Sequence, residues 1–230
     1  MAMEDAIYFL MRWLHYFFGV IWIGHLYYFN FTQVPFFGET DAQTKSNAIQ
    51  KLVPRALWWF RWGAMFTFIT GLVMLSIWGS RVGGDALKTS FGLYISVGST
   101  LGTVMFLNVW LVIWPAQKVV IESTTLVAQG KPALPDAAAM GAKALLASRS
   151  NVLFSLPMLF FMGAASHLPL PASDSPDYTN ALFAALVVIG LLEANALKGK
   201  LGPMASVKGV VHVGVALTAV LFGVCWLMAA

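Results

Sequence analysis

The chain has four histidines, His15, His25, His167 and His212, and every one falls within or at the end of a long uncharged run. Residues 12 to 29, RWLHYFFGVIWIGHLYYF, hold two of them together with one arginine and no acid. An imidazole in such a run is costly unless it bonds a neighbouring helix or serves a function. Four together, with Glu193 as the one carboxylate inside an apolar segment, favour function. Imidazole is a standard axial ligand of haem iron. In a helix, the ten residues from His15 to His25 give a rise of about 15 Å and a turn of about 280°. The two cannot share one metal, but they can hold two cofactors at different depths.

Depth suggests how the histidines pair. The first and fourth apolar runs bring His15 and His167 towards one face of a membrane. The first and sixth bring His25 and His212 towards the other, and this second match is the closer. Each pair is expected to ligate a b-type haem, one or two in all. Gly19 and Gly24, and Gly209 and Gly214, leave room for a flat ring. Arg12, one turn from His15, and Arg61 are the expected propionate partners, although both could instead extend to the interface. Zinc is disfavoured, with no HExxH and no cysteine or carboxylate near the histidines. The single cysteine, Cys225, excludes an internal disulfide and CxxCH haem attachment.

A second polar set gathers near the inner side: Arg61, Asn108, Arg149, Asn151, Glu193 and Asn195. Arginines and amides at one depth suit a planar, anionic, hydrogen-bonding ligand or the propionates of an inner haem. Asn108, Arg149, Asn151 and Glu193 are the candidate substrate contacts. Capping, bridging between helices and extension to the interface are the structural alternative.

These residues must be positioned by helices in a bilayer. Hydrophobic residues make up 59% of the 230, and charged ones only 10%, against roughly 25% in a soluble domain. The mean hydropathy is +0.74. Only helices or closed barrels satisfy their backbone in lipid, and no alternating strand pattern occurs. The expectation is an all-α, single-domain bundle of six transmembrane helices, at about 6–31, 56–78, 91–114, 149–168, 178–197 and 207–228. Pro115 should stop the third, and Pro157 should kink the fourth. The connection 116–148 reads as two helical pieces broken at GKPALP, the first lying on the membrane surface. Gly98 and Gly102 form a GxxxG packing step. No internal repeat is convincing.

Ten lysines and arginines fall in the loops of one side, including Lys45, Lys131, Lys143 and Lys200; Arg12, Arg81 and Lys88 are on the other. The positive-inside rule puts the basic side in the cytoplasm and both termini in the periplasm. That implies a multi-pass protein of the bacterial inner membrane. The first run follows MAMED, which is acidic, and no cleavage site follows it, so it reads as a retained helix. The pI of 9.3 reflects loop bias, and nucleic acid is not an expected partner.

RWLHYFFGVIWIG, NVWLVIWPAQKV and RSNVLFSLPMLFFMGAASH resemble the membrane domain of the bacterial cytochrome-c-linked urate oxidases, the urate hydroxylase type. The likeness covers helices 1, 3 and 4, with helix 2 joining more loosely through FRWG. It implies a membrane oxidase domain that passes electrons from its substrate to a cytochrome c. It maps onto His15, His167, Asn108, Trp114, Arg149 and Asn151. Full-length members carry a cytochrome c domain after the membrane part. This sequence ends at Ala230 without CxxCH, so the expectation is a membrane domain lacking it. At the position of His25 the family typically has a small residue, which implies a haem site those enzymes lack. Helix 1 is also similar in style to that of the membrane-type protoporphyrinogen oxidases.

The expected function is that of a haem b membrane oxidoreductase, urate-oxidase-like, moving electrons from a small substrate or quinol to a cytochrome c or other respiratory carrier. Membrane lipid, a quinone and a second copy of the chain complete the expected partners. A small permease with a histidine and glutamate path, or an anchoring subunit of a respiratory complex, are the alternatives.

Overall fold

The computed structural model describes residues 3–171 and 177–229. The acidic loop PLPASDSPD lies mostly outside the described residues. Seven helices carry the fold: α1 Met3–Glu39, α2 Ala42–Lys51, α3 Val53–Lys88, α4 Ser90–Ala128, α5 Ala137–His167, α6 Thr179–Lys198 and α7 Val207–Leu227. All but α2 are long and apolar enough to cross a membrane. Among the described residues there is no strand.

α2 is polar and buries no residue. Asp41 caps it by accepting the Thr44 N–H at 2.9 Å, and hydrogen bonds from Thr44 hold the Asp41 carboxyl below its ordinary range. The α-helical part of α3 ends at Gly83, whose φ of 59° favours a residue without a Cβ.

The long helices alternate in direction. Arg81, near the end of α3, pairs with Glu4 and Asp5 at the start of α1, at 3.0 and 2.9 Å. Leu170 N–H, just past α5, donates to Ser90 Oγ at the start of α4. Tyr178 N–H, entering α6, donates to Leu87 O. These contacts lie at one end of the bundle, the end that carries both chain termini; the opposite end carries the basic loops.

α1 and α3 form one hairpin, and Gly63 lets them close. A Cβ there would sit 3.0 Å from Trp22 N and Ile21 Cγ2. α4 and α5 form the second, in contact at Gly98, where a Cβ would meet Met162 N and Phe161 Cβ at 3.4 Å. Nothing lies within 4 Å of a Cβ on Gly102, so only half of the expected GxxxG step makes the contact. α7 packs on α5 through Gly214, opposite Leu153 and Leu156.

The helix boundaries correct two expectations. Pro115 does not stop the third helix, and the first piece of the connection continues that helix without a break. α4 continues through Pro115 to Ala128, and α5 starts at Ala137 rather than near residue 149. At 1.5 Å per residue, the 39 residues of α4 far exceed a hydrocarbon core of about 30 Å. Its last turns stand against the first turns of α5: Leu134 N–H donates to Ser123 Oγ at 3.0 Å, and Gly141 lies opposite Val120.

A proline in a helix lacks an N–H, and its ring crowds the carbonyl four residues back. Here the preceding turn is π-wound over Asn108–Ile113, which is wider and leaves the proline room. The same device precedes Pro35, where Tyr28–Gln33 is π-wound. Each π segment begins seven residues before its proline, so the two hairpins repeat a feature that the sequence pattern conceals. They also interlock. Trp62 of α3 meets Trp110 in the π segment of α4, with ring centroids 5.6 Å apart. Ser148 of α5 accepts a bond from Asn30 in the π segment of α1 at 2.8 Å.

Candidate functional site

Asn108 opens the π segment of α4 and is 1% exposed. Its amide N–H groups donate to Asn151 Oδ1 on α5 and to Glu193 Oε2 on α6, both at 3.0 Å. Asn151 donates in turn to Met105 O at 2.9 Å, a carbonyl at the edge of the π segment. Three helices are thus tied at one level by Asn108, Asn151 and Glu193, three of the four residues expected at a substrate site. The fourth, Arg149, sits two residues before Asn151 and bonds none of them.

Arg149 is 3% exposed, and its Nε and Nη1 have no partner among the described residues. Arg61 lies with its guanidinium carbon 3.9 Å from the centroid of the Trp114 ring and 5.8 Å from that of Trp110. Its Nε is also unpartnered. Among the described residues, the ion pairs are Arg81 with Glu4 and Asp5, and Lys88 with Asp85. Neither inner arginine has a carboxylate. A buried guanidinium without an anion is costly, so this level of the bundle has an unmet demand for negative charge.

Two further contacts between α1 and α5, Asn30 with Ser148 and Tyr27 with Ser155, are not evident from the sequence. Asn30, fully buried, donates to Leu26 O at 2.9 Å and to Ser148 Oγ at 2.8 Å. Tyr27 OH and Ser155 Oγ bond at 2.9 Å. The available signal was an asparagine five residues before a proline inside an apolar run. Ser148 was hidden because it falls in what the charge pattern marks as a loop.

The histidines separate. His15 Nδ1 donates to Thr67 O at 2.9 Å, with Thr70 Oγ1 3.2 Å away. Gly71 lets the ring lie against α3, since a Cβ there would be 3.2 Å from His15 Cε1. His25 Nδ1 donates to Ile21 O at 2.7 Å, one turn back. In both, a backbone carbonyl fixes the tautomer and leaves Nε2 with its lone pair, the arrangement that suits an axial ligand. His167 is exposed at the end of α5, and His212 is exposed near the start of α7.

Neither expected pair is brought together. Tyr27 and Asn30 of α1 face α5, whereas Gly214 of α7 packs on α5 at Leu153 and Leu156. α5 therefore stands between α1 and α7, with His25 on the α3 side of α1. His15 lies some twelve residues into α1, about 18 Å along it, while His167 ends its helix. His25 and His212 thus stand on helices separated by α5, and His15 and His167 lie at different distances from the terminal end. Arg12 is exposed, with its guanidinium carbon 4.9 Å from the centroid of the Tyr8 ring. Arg61 belongs to the α4 side, away from His25. Among the described residues, no group of three or more His, Cys, Asp or Glu side chains could hold a metal ion.

A helical bundle of membrane-spanning length, closed around a polar centre with uncompensated arginines, defines the class of protein. The family described as Urate oxidase N-terminal matches residues 85–228, and the chain belongs to that family. The match takes in α6 and α7, where the sequence offered no motif, as well as Asn108, Arg149, Asn151, His167, Glu193 and His212. It leaves out α1, and so Arg12, His15 and His25, together with Arg61. No curated protein and no solved structure matches the chain.

Proposed function

We propose that the protein is a urate-oxidase-like membrane oxidoreductase that binds a planar, anionic, purine-like substrate at the polar centre. The observation that carries this reading is the buried Arg149, without a carboxylate, at the level of the Asn108–Asn151–Glu193 relay. An arginine supplies charge to a substrate oxyanion. The amide and carboxylate oxygens of the relay are acceptors for ring N–H groups and hold the relay in register. Electrons leave towards a cytochrome c or another respiratory carrier. A haem b, if held by Nε2 of His15 in the α1–α3 seam, supplies one-electron transfer when bound.

The test uses the purified protein in nanodiscs, with urate titrated by calorimetry and a pyridine haemochrome assay on the same sample. Wild type is expected to bind urate, and Arg149→Gln and Asn108→Leu are expected to weaken it at least tenfold. A folded wild type that does not bind urate overturns the reading.

A second reading, a permease for the same anion, has one observation in its favour. The first helices of both hairpins carry a π turn at matching positions, and paired irregularities of this kind mark transporters built from repeats. Urate accumulation in proteoliposomes without any redox partner would select it. Reduction of an electron acceptor by urate, without accumulation, would select the oxidoreductase.

A further inference from the structure

Away from the polar centre, α1 and the start of α3 enclose an open groove of about 510 Å³. His25, Tyr28 and Gly24 line one wall, and Arg55 and Trp59 the other. Gly24 gives the groove its depth, since nothing lies within 4 Å of a Cβ placed there. Val20 at its edge is 74% exposed, and Trp59 is 51% exposed. In a spanning bundle such a face meets lipid, and the groove sits at the basic end, where α3 begins.

The groove joins an acceptor and a cation in apolar walls. His25 Nδ1–H is committed to Ile21 O, so Nε2 offers a lone pair and needs a donor. Arg55 offers donors and needs an oxygen. A ligand reaching this place from the bilayer must be apolar through most of its body. It must also carry a hydroxyl for His25 and an oxygen for Arg55 on one compact ring. A phosphodiester headgroup with its own hydroxyl meets the same two demands but brings no aromatic ring to the Tyr28 and Trp59 walls, which makes phosphatidylglycerol the competitor to exclude.

We propose that the groove between α1 and α3 binds the ring of a membrane quinol, with His25 Nε2 accepting one quinol hydroxyl and Arg55 donating to a ring oxygen. Tyr28 and Trp59 supply aromatic walls, and the prenyl tail leaves the groove into lipid past Val20. Quinone becomes quinol by taking two electrons and two protons, and hydroxylation of the substrate by water at the proposed polar centre releases two of each, so the exchange balances. In that respect alone the inference rests on the proposed function; binding is tested without it.

The experiment is photolabelling of the full chain, in nanodiscs made without quinone, by a short-chain azido-ubiquinone, with the labelled peptides mapped by mass spectrometry. Label is expected on peptides spanning residues 20–28 and 52–59, and excess decylubiquinol should reduce it at least fivefold. Gly24→Leu, which fills open space without touching a helix contact, should reduce it as far. His25→Ala should do the same, and His25→Gln, which retains an acceptor, should restore part of it. Three results overturn the inference: label spread over all lipid-facing helices, label unchanged in Gly24→Leu, or equal displacement by phosphatidylglycerol. Urate calorimetry on Gly24→Leu separates the two proposals. Retained urate binding with unchanged label sinks the groove alone, and loss of urate binding by wild type sinks the substrate site alone.

Discussion

Asn108 gives both of its amide hydrogens to different helices, Asn151 on α5 and Glu193 on α6. Between membrane helices, where apolar burial gives no preference for protein over lipid, such bonds specify which helices meet. Replacing Asn108 by leucine removes both donors and leaves two acceptors with nothing nearby to pair them. The expected cost is about 1–3 kcal/mol, since the stranded buried Asn151 acceptor costs on the order of 1 kcal/mol or more and the half-buried Glu193 less. Thermal unfolding in detergent measures it, with Glu193→Gln as the comparison. A glutamine keeps an oxygen for Asn108, so that variant should lose less than about 1 kcal/mol. Asn108, Asn151 and Glu193 were legible from sequence because a polar residue in an apolar run must have a partner. Arg149 was legible as a residue, but its isolation from carboxylates was not, because pairing depends on how side chains meet across helices. The histidine pairs were misleading for a related reason. Depth can be counted along a chain, but the face of a neighbouring helix cannot, and α5 stands between His25 and His212.

At the scale of single helices, apolar length locates all six candidate spans, and it misplaces the end of the third, where Pro115 reads as a stop. Pro115 is accommodated by the π turn before it, so α4 runs on. A regular-helix period has no means of showing a π turn in advance. Glycine contacts were only half legible as well. Gly98 and Gly102 are equivalent in a GxxxG pattern, yet a Cβ on Gly98 meets Met162 and Phe161 while one on Gly102 meets nothing. Gly98→Leu should therefore cost about 1–3 kcal/mol as an overpacked contact, and Gly102→Ala should stay within about 0.5 kcal/mol of wild type. Gly63 is tighter still, facing the backbone nitrogen of Trp22 at 3.0 Å. Gly63→Leu should open the α1–α3 hairpin and cost at least as much as the change at Gly98. Unfolding curves of the three variants in one detergent decide the order.

For the whole molecule, the interlocked hairpins, the polar centre and the groove acquire a direction only through the membrane. The terminal end holds Arg12, Arg81 and Lys88, while the other end carries ten lysines and arginines, of which Arg149 is buried. At the terminal end, Arg81 and Lys88 are also engaged by Glu4, Asp5 and Asp85. Such exposed pairs contribute about 0–1 kcal/mol each to stability, so the difference between the ends bears on insertion more than on folding. The bias predicts the basic end in the cytoplasm. In a Cys225→Ala background, which removes the single native thiol, Lys45→Cys and Lys131→Cys should react with an impermeant maleimide only after cells are opened. Asp85→Cys, on the terminal side, should react in intact cells. That outcome lets the polar centre draw its anion from the cytoplasm and leaves the chain's ends where a periplasmic electron carrier could reach them. The reverse labelling would leave the helix packing untouched and invert the chemistry: the anion site would open to the periplasm, and a periplasmic acceptor at the terminal end would no longer fit.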